Sequence, residues 1–426
     1  MLEKNNKLTY INKNKANEFH KRNYLLFIVW PFLSFINSVK QFKYLHSKIL
    51  ILLFLGLYGY TYIFIEGTDS ISYAKSFINM SSTDITGFFS SIKSFQSEDS
   101  GSLDFVIPII AFILSRFTDN PYILYAILSI IFGFYLILSV NIIFYFYNKN
   151  KSKNSLFFLL SFLTILPISN INGIRFWLAT YIFFYASYFC VYLKKYNYIL
   201  LSFFSAFIHF SYFPLNLLLL LFLIIGEKNI FYYFLLLLSF LFPEFIFNNI
   251  NKILSYFSLG ISSHVSSYVN DDYVQYVKES KNSLRFELQF IGYALYWYFI
   301  IATIYYLRLA RNIKQSKSLR RLYSFIIFLL SFVNFFSVIP SGGRFKILFY
   351  LFANTYLSII NSGILSRRLF LINYIGVLIF ILNFIIVLRQ GSESLNIILF
   401  FPFTIILSYY NIHISLFNTI FRWFHL

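Results

Sequence analysis

A series of long apolar runs, broken by short polar stretches, constrains this chain more than any other feature. The runs at 121–147 and 213–225 are examples. At about 1.5 Å of rise per residue, runs near twenty residues match the ~30 Å hydrocarbon core of a bilayer. A helix satisfies its backbone groups internally and so can cross lipid, whereas a β-barrel alternates polar and apolar residues over segments of about ten. Leu215 to Ile225 does not alternate. Of the 426 residues, 58% are hydrophobic and 12% charged, roughly half the charged share of a soluble domain. A soluble fold could not cover that apolar surface, and lipid can. The expected fold is an all-α, polytopic transmembrane helical bundle.

The spans expected are 48–66, 121–147, 155–172, 174–193, 198–212, 213–225, 230–247, 288–308, 322–339, 345–361, 369–388 and 395–413, about twelve in all. Cytoplasmic loops of membrane proteins carry an excess of Lys and Arg. One threading puts Lys149/Lys151/Lys153, Lys194/Lys195, the Arg308–Arg321 cluster and Arg367/Arg368 all inside, with the N-terminus and Lys40/Lys43/Lys48. Two short apolar segments, 24–38 and 105–117, carry Pro31 and Pro108 and do not fit as spans. They read as interfacial or re-entrant pieces. In this threading 24 of 35 Lys/Arg lie inside and 13 of 16 Asp/Glu outside. The acidic bias was not used to build the threading, and it supports two external loops, 67–104 and 248–287. Residues 1–22 form a basic cytoplasmic extension with no cleavable signal, and 23–426 a single membrane domain. A net charge of +19 would suggest nucleic acid in a soluble protein; here the topology bias accounts for it, and no nucleic-acid partner is expected. The lone Cys190 excludes disulfides and Cys-based metal sites.

Ionisable groups at the ends of spans are costly and mark candidate sites. Three constellations fall at the outer boundary: Gly173-Ile174-Arg175, His209-Phe210-Ser211, and Gly342-Gly343-Arg344. Glycines let a substrate or a backbone approach closely. Guanidinium groups near helix N-termini suit a phosphate. The first loop opens with Asp69 and Tyr73, four residues apart and on one helical face; Thr68 or Asp69 serving as a helix N-cap is the plainer reading. Asp271 and Asp272, among the tyrosines of the second loop, are candidate sugar contacts. Walker loops, HExxH, CxxC and GxSxG are absent from the sequence, which argues against nucleotide-driven transport and soluble-type hydrolase chemistry.

In order along the chain, Gly67-x-Asp69-x-x-x-Tyr73, Asn120-Pro121-Tyr122, Gly173-x-Arg175-x-x-Leu178-Ala179, Lys194-Lys195, His209-x-Ser211 and Gly343-Arg344 resemble the EpsG family of Wzy-like bacterial polysaccharide polymerases. The family often has Gln after the arginine, where this chain has Phe176; the acidic residue often seen before the segment matching 105–117 is Asp104. The resemblance implies a GT-C-like architecture in the bacterial cytoplasmic (inner) membrane. It also implies a glycosyltransferase that polymerises capsular, exopolysaccharide or O-antigen repeat units at the outer face. The growing glycan would pass from undecaprenyl diphosphate to a new lipid-linked unit. Implied partners are that lipid-linked oligosaccharide, the bilayer, a flippase and a chain-length regulator. On this reading Arg175 and Arg344 bind the diphosphate, and His209 is the base with Asp69 as the alternative. Tyr73, Ser211, Asp271 and Asp272 contact substrate. No cofactor or metal is expected. A flippase or transporter of lipid-linked oligosaccharide and a membrane glycan ligase are the competing readings, with a membrane acyltransferase behind them.

Overall fold

The computed structural model describes residues 18–93, 104–243, 286–310, 316–339, 341–363, 370–410 and 412–424. Among these, every regular element is helical, and a single bridge pairs Asn396 with Ser415. The helices are α1 (18–29), α2 (Pro31–Lys40), α3 (Leu45–Tyr60), α4 (Asp69–Met80), α5 (Ile85–Lys93), α6 (Val106–Ser115) and α7 (Pro121–Lys149). They continue with α8 (Lys153–Ile165), α9 (Ile174–Val191), α10 (Tyr198–Ile208), α11 (Phe213–Ile225) and α12 (Asn229–Leu241). The last five are α13 (Phe286–Ala310), α14 (Lys317–Phe336), α15 (Lys346–Gly363), α16 (Phe370–Ser394) and α17 (Leu416–Phe424).

Local sequence sets the helix starts. Asn120 caps α7 by accepting the Tyr122 N–H at 2.9 Å, with Pro121 pre-set at the first helical position. The 29 residues of α7 then run about 43 Å. Ser152 and Ser316 cap α8 and α14 in the same way. Glycines set one interhelical contact: a Cβ on Gly59 would lie 2.2 Å from the Tyr125 carbonyl oxygen, so only Gly lets α3 press against α7. Buried polar pairs tie other helices. Ser161 donates to Asn354 Oδ1 at 2.8 Å, and Asn216 joins Ser202 to the Tyr212 carbonyl. Outward, α16 exposes Ile375, Leu378, Ile381, Leu382 and Ile385, a face suited to lipid.

Ring contacts give the direction of each helix. Phe176 meets Phe345 and Phe184 meets Phe352, so α9 and α15 run parallel. Phe189 stacks on Tyr198 while Phe176 meets His209, so α10 returns antiparallel to α9. By the same reasoning α7 runs parallel to α9 and antiparallel to α3. The bundle therefore has two chemically distinct ends. Lys40–Lys48, Lys149–Lys153, Lys194/Lys195 and Lys317–Arg321 gather at a basic end. Asp69, Asp104, Arg175, His209 and Arg344 gather at the other, called here the site end. The side chain of Arg308, and all of Arg311, Lys314, Arg367 and Arg368, lie outside the described residues.

Five stretches are long and apolar enough to cross a membrane: Pro121–Lys149, Lys153–Val191, Leu288–Tyr306, Lys317–Phe336 and Ile372–Ser394. The second folds back on itself at Leu166–Pro167, because Phe162 lies 5.6 Å from Phe184 and Tyr181 donates to the Leu166 carbonyl at 2.5 Å. The spans expected at 198–212, 213–225 and 230–247 are helices of 11, 13 and 13 residues. Apolar turns such as Phe210–Tyr212 are short 3-10 segments, and hydropathy cannot tell them from helix. The stretch expected as a span at 395–413 is broken into Ile397–Phe400, Thr404–Leu407 and Ser408–Tyr410. Phe403, at φ +58, interrupts it, and its N–H goes to the Val29 carbonyl. The segment 24–38 forms part of a hairpin of α1 and α2 around Trp30–Pro31, with Asn23 bonded to Ser38 at 2.9 Å and both limbs opening toward the basic end. The segment 105–117 is the short α6, packed at the site end, where Phe112 stacks on Phe88 at 3.9 Å. Residues 1–17, 94–103 and nearly all of the expected external loop 248–287 lie outside the described residues.

Candidate active site

Arg175 is the second residue of α9, directly after a 3-10 segment, Ile168–Gly173. Its Nε donates to the Tyr73 hydroxyl at 2.7 Å, and its guanidinium stands 5.1 Å from the Tyr73 ring centre. One terminal nitrogen lies 3.2 Å from Asp104 Oδ2. The other Asp104 oxygen accepts the Phe210 N–H at 2.7 Å. A single carboxylate thus joins the start of α9 to the corner after α10. The Arg175 side chain is 31% exposed and that of Asp104 9%, so a ligand can reach the arginine while the carboxylate stays behind it and fixes its fork. Burial pushes the Tyr73 phenol up, against the opposing pull of Arg175. It therefore remains neutral near pH 7.

The start of α4 docks on the same 3-10 segment. Asn172 Oδ1 accepts the Ser70 N–H at 3.3 Å. Thr68 occupies the cap position without capping: its hydroxyl donates to the Ile65 carbonyl at 2.6 Å and pairs with Ser70. Asp69 is exposed at the first helical position, and a Cβ placed on Gly173 would lie 3.7 Å from its Oδ2 and 3.2 Å from Trp177 Nε1. Asp69 makes no hydrogen bond among the described residues.

His209 sits just beyond α10 in extended backbone. Its Nδ1 is 3.3 Å from the Ser211 N–H and 2.8 Å from the Ser211 hydroxyl. A backbone N–H can only donate, so Nδ1 accepts and the neutral ring carries its proton on Nε2. The lone pair a general base would use is already engaged. This geometry presents His209 as a donor and leaves Asp69 as the unengaged acceptor, which reverses the order expected from sequence.

Arg344 projects from the turn between α14 and α15. A Cβ on Gly342 would lie 1.8 Å from the Phe336 carbonyl oxygen, so that glycine serves backbone packing rather than substrate approach. Gly343 faces open space. Ser341 adopts φ +66, a strained angle for a non-glycine residue. Arg344 is exposed, its guanidinium lies 5.9 Å from the Phe176 ring centre, and among the described residues it has no carboxylate partner. His209 meets the same buried ring edge-on at 5.3 Å.

The structure brings together Asp69, Tyr73, Arg175, His209, Ser211 and Arg344; Asp271 and Asp272 lie outside the described residues. Sequence reasoning gave no site role to three supporting residues. Asp104 was noted only as the acidic residue ahead of 105–117, and Phe176 only as the residue after the arginine. Asn172 carried no signal, because its role follows from helix pairing. The EpsG family model matches residues 49–405, nearly the whole chain. The chain belongs to the EpsG family. This EpsG-family protein is a multi-pass membrane protein with a polysaccharide-polymerase-like role. The match contains every site residue named above and leaves out the α1–α2 hairpin and the end of the chain beyond 405. No curated protein and no solved structure matches it significantly.

Proposed function

We propose that this protein is a Wzy-like polymerase that transfers a growing glycan from undecaprenyl diphosphate to a fresh lipid-linked repeat unit. The reading places it in the bacterial inner membrane, in a GT-C-like arrangement, with the basic end cytoplasmic and the site end at the outer face. An acceptor hydroxyl oxygen bonds to the anomeric carbon of the donor glycan. The bond from that carbon to the diphosphate breaks, and the leaving diphosphate keeps the electron pair. The acceptor proton passes to Asp69. Arg175 and Arg344 neutralise the developing phosphate charge, an electrostatic contribution of the kind that dominates group transfer, and His209 Nε2–H donates a further hydrogen bond. Tyr73 and Asp104 hold Arg175 in register, and Ser211 holds His209. A flippase and a chain-length regulator are the partners this reading calls for.

The observation that carries the reading is the convergence of Arg175 and Arg344 from opposite halves of the chain onto one end, with the exposed Asp69 on the same end. Complementation of a deletion strain tests it. Arg175→Ala, Arg344→Ala and Asp69→Asn, at matched protein levels, should leave single repeat units on the final carrier. Long chains from all three variants would overturn the assignment. Complete loss of surface repeat units would favour a flippase instead.

A further inference from the structure

The basic end contains a buried cation without an acid. Arg321 lies in the second turn of α14 and is 6% exposed. Its Nη1 donates to the Tyr196 hydroxyl at 3.2 Å, and its guanidinium stands 5.7 Å from that ring centre. Among the described residues no carboxylate lies within ion-pair distance of it. Glu227 is the acid in the neighbouring turn, brought alongside α14 by the Asn229–Ser324 hydrogen bond, yet it pairs with no described cation. Around Arg321, Lys317 and Arg320 occupy the start of α14, and Lys194 and Lys195 sit exposed on the turn that carries Tyr196, Lys194 at φ +58. Buried charges in proteins are paired. A helix N-terminus adds positive potential of its own. Among the described residues this corner is therefore short of negative charge, which a bound anion would supply. Its position at the end of a helical bundle is that of a lipid headgroup, where basic pockets between helices bind anionic lipids.

We propose that Arg321, with Lys194, Lys195 and Lys317, binds the phosphate of an anionic membrane lipid at the basic end. The exposed Lys194, Lys195 and Lys317 meet the phosphate, the buried Arg321 guanidinium, held by Tyr196, adds its charge from beneath them, and the acyl chains lie along the apolar helix faces. This site is distinct from the Arg175 centre and does not rest on the polymerase reading.

The test uses the purified full chain, with native mass spectrometry and thermal unfolding in mixed micelles of phosphatidylglycerol or phosphatidylethanolamine. Wild type should retain phosphatidylglycerol at least about fivefold over phosphatidylethanolamine, and Arg321→Gln should bring the two to parity. Arg321→Lys should recover part of the preference. Lys194→Ala/Lys195→Ala on the exposed turn should weaken retention about fivefold per charge removed, which keeps the test decisive if Arg321→Gln fails to fold. Equal retention of the two lipids by wild type, or a monodisperse Arg321→Gln with wild-type preference, would overturn the proposal. Stabilisation by inorganic phosphate alone, equal to that by phosphatidylglycerol, would overturn the lipid assignment.

Discussion

Arg175 and Arg321 are both drawn into the helical bundle near its ends, and they are handled in opposite ways. Arg175 has Asp104 at 3.2 Å and Tyr73 at 2.7 Å. Arg321 has one phenol hydroxyl, that of Tyr196. The difference teaches what each end is for. At the site end, an internal carboxylate balances one guanidinium, fixes its direction and leaves part of it open. Arg344 beside it remains unbalanced and exposed. At the basic end, no described carboxylate lies within ion-pair distance of Arg321, and the lipid phosphate we propose there would supply the balance.

The comparison can be broken most forcefully at the site end. Arg175→Ala should lower chain extension about 100- to 1000-fold, the scale for removing one preorganised donor to developing charge; gel ladders from a complemented strain read it. Asp69→Asn should fall by about 100-fold or more in the same assay, whereas His209→Gln, which keeps a side-chain N–H donor, should fall by only about tenfold. An equal collapse of both would restore His209 as the base. Asp104→Asn should cost about tenfold, and combined with Arg175→Ala it should add nothing, because the amide oxygen still accepts the Phe210 N–H and only the pairing with the arginine is lost. Additive losses would break the positioning role. Tyr73→Phe should cost about threefold, since the ring beneath the guanidinium survives. Burial holds the Tyr73 phenol above its ordinary value, so it stays protonated as pH rises past neutrality, and raising the pH to about 9 should not remove activity through this group.

Legibility in the sequence followed the physics that each feature depends on. Membrane character and helix direction depend on composition and charge placement, which are additive along the chain, so the orientation of hairpins such as α9–α10 was readable. That Arg175, His209 and Arg344 share one end of the bundle was readable, because charge at a span end is conspicuous. Helix length was less readable. Phe210–Tyr212 and 395–413 are apolar yet turn, because local backbone angles and Pro or αL positions decide where a helix stops, and hydropathy is blind to them. Of the two uses the sequence allowed for Gly342, the structure shows the backbone one: its Cβ would meet a carbonyl from the preceding helix, a contact that exists only after the turn closes. Asp104 and Asn172 act across about a hundred residues of sequence through helix pairing, and no local pattern carries that.

The two-ended account is tested most directly by cysteine accessibility in intact cells. The native Cys190 is buried, so the background is low. Ser341→Cys, next to Arg344, should react with a membrane-impermeant maleimide added from outside, and Lys194→Cys should react only after permeabilisation. Labelling of Lys194→Cys in intact cells, with Ser341→Cys protected, would contradict it.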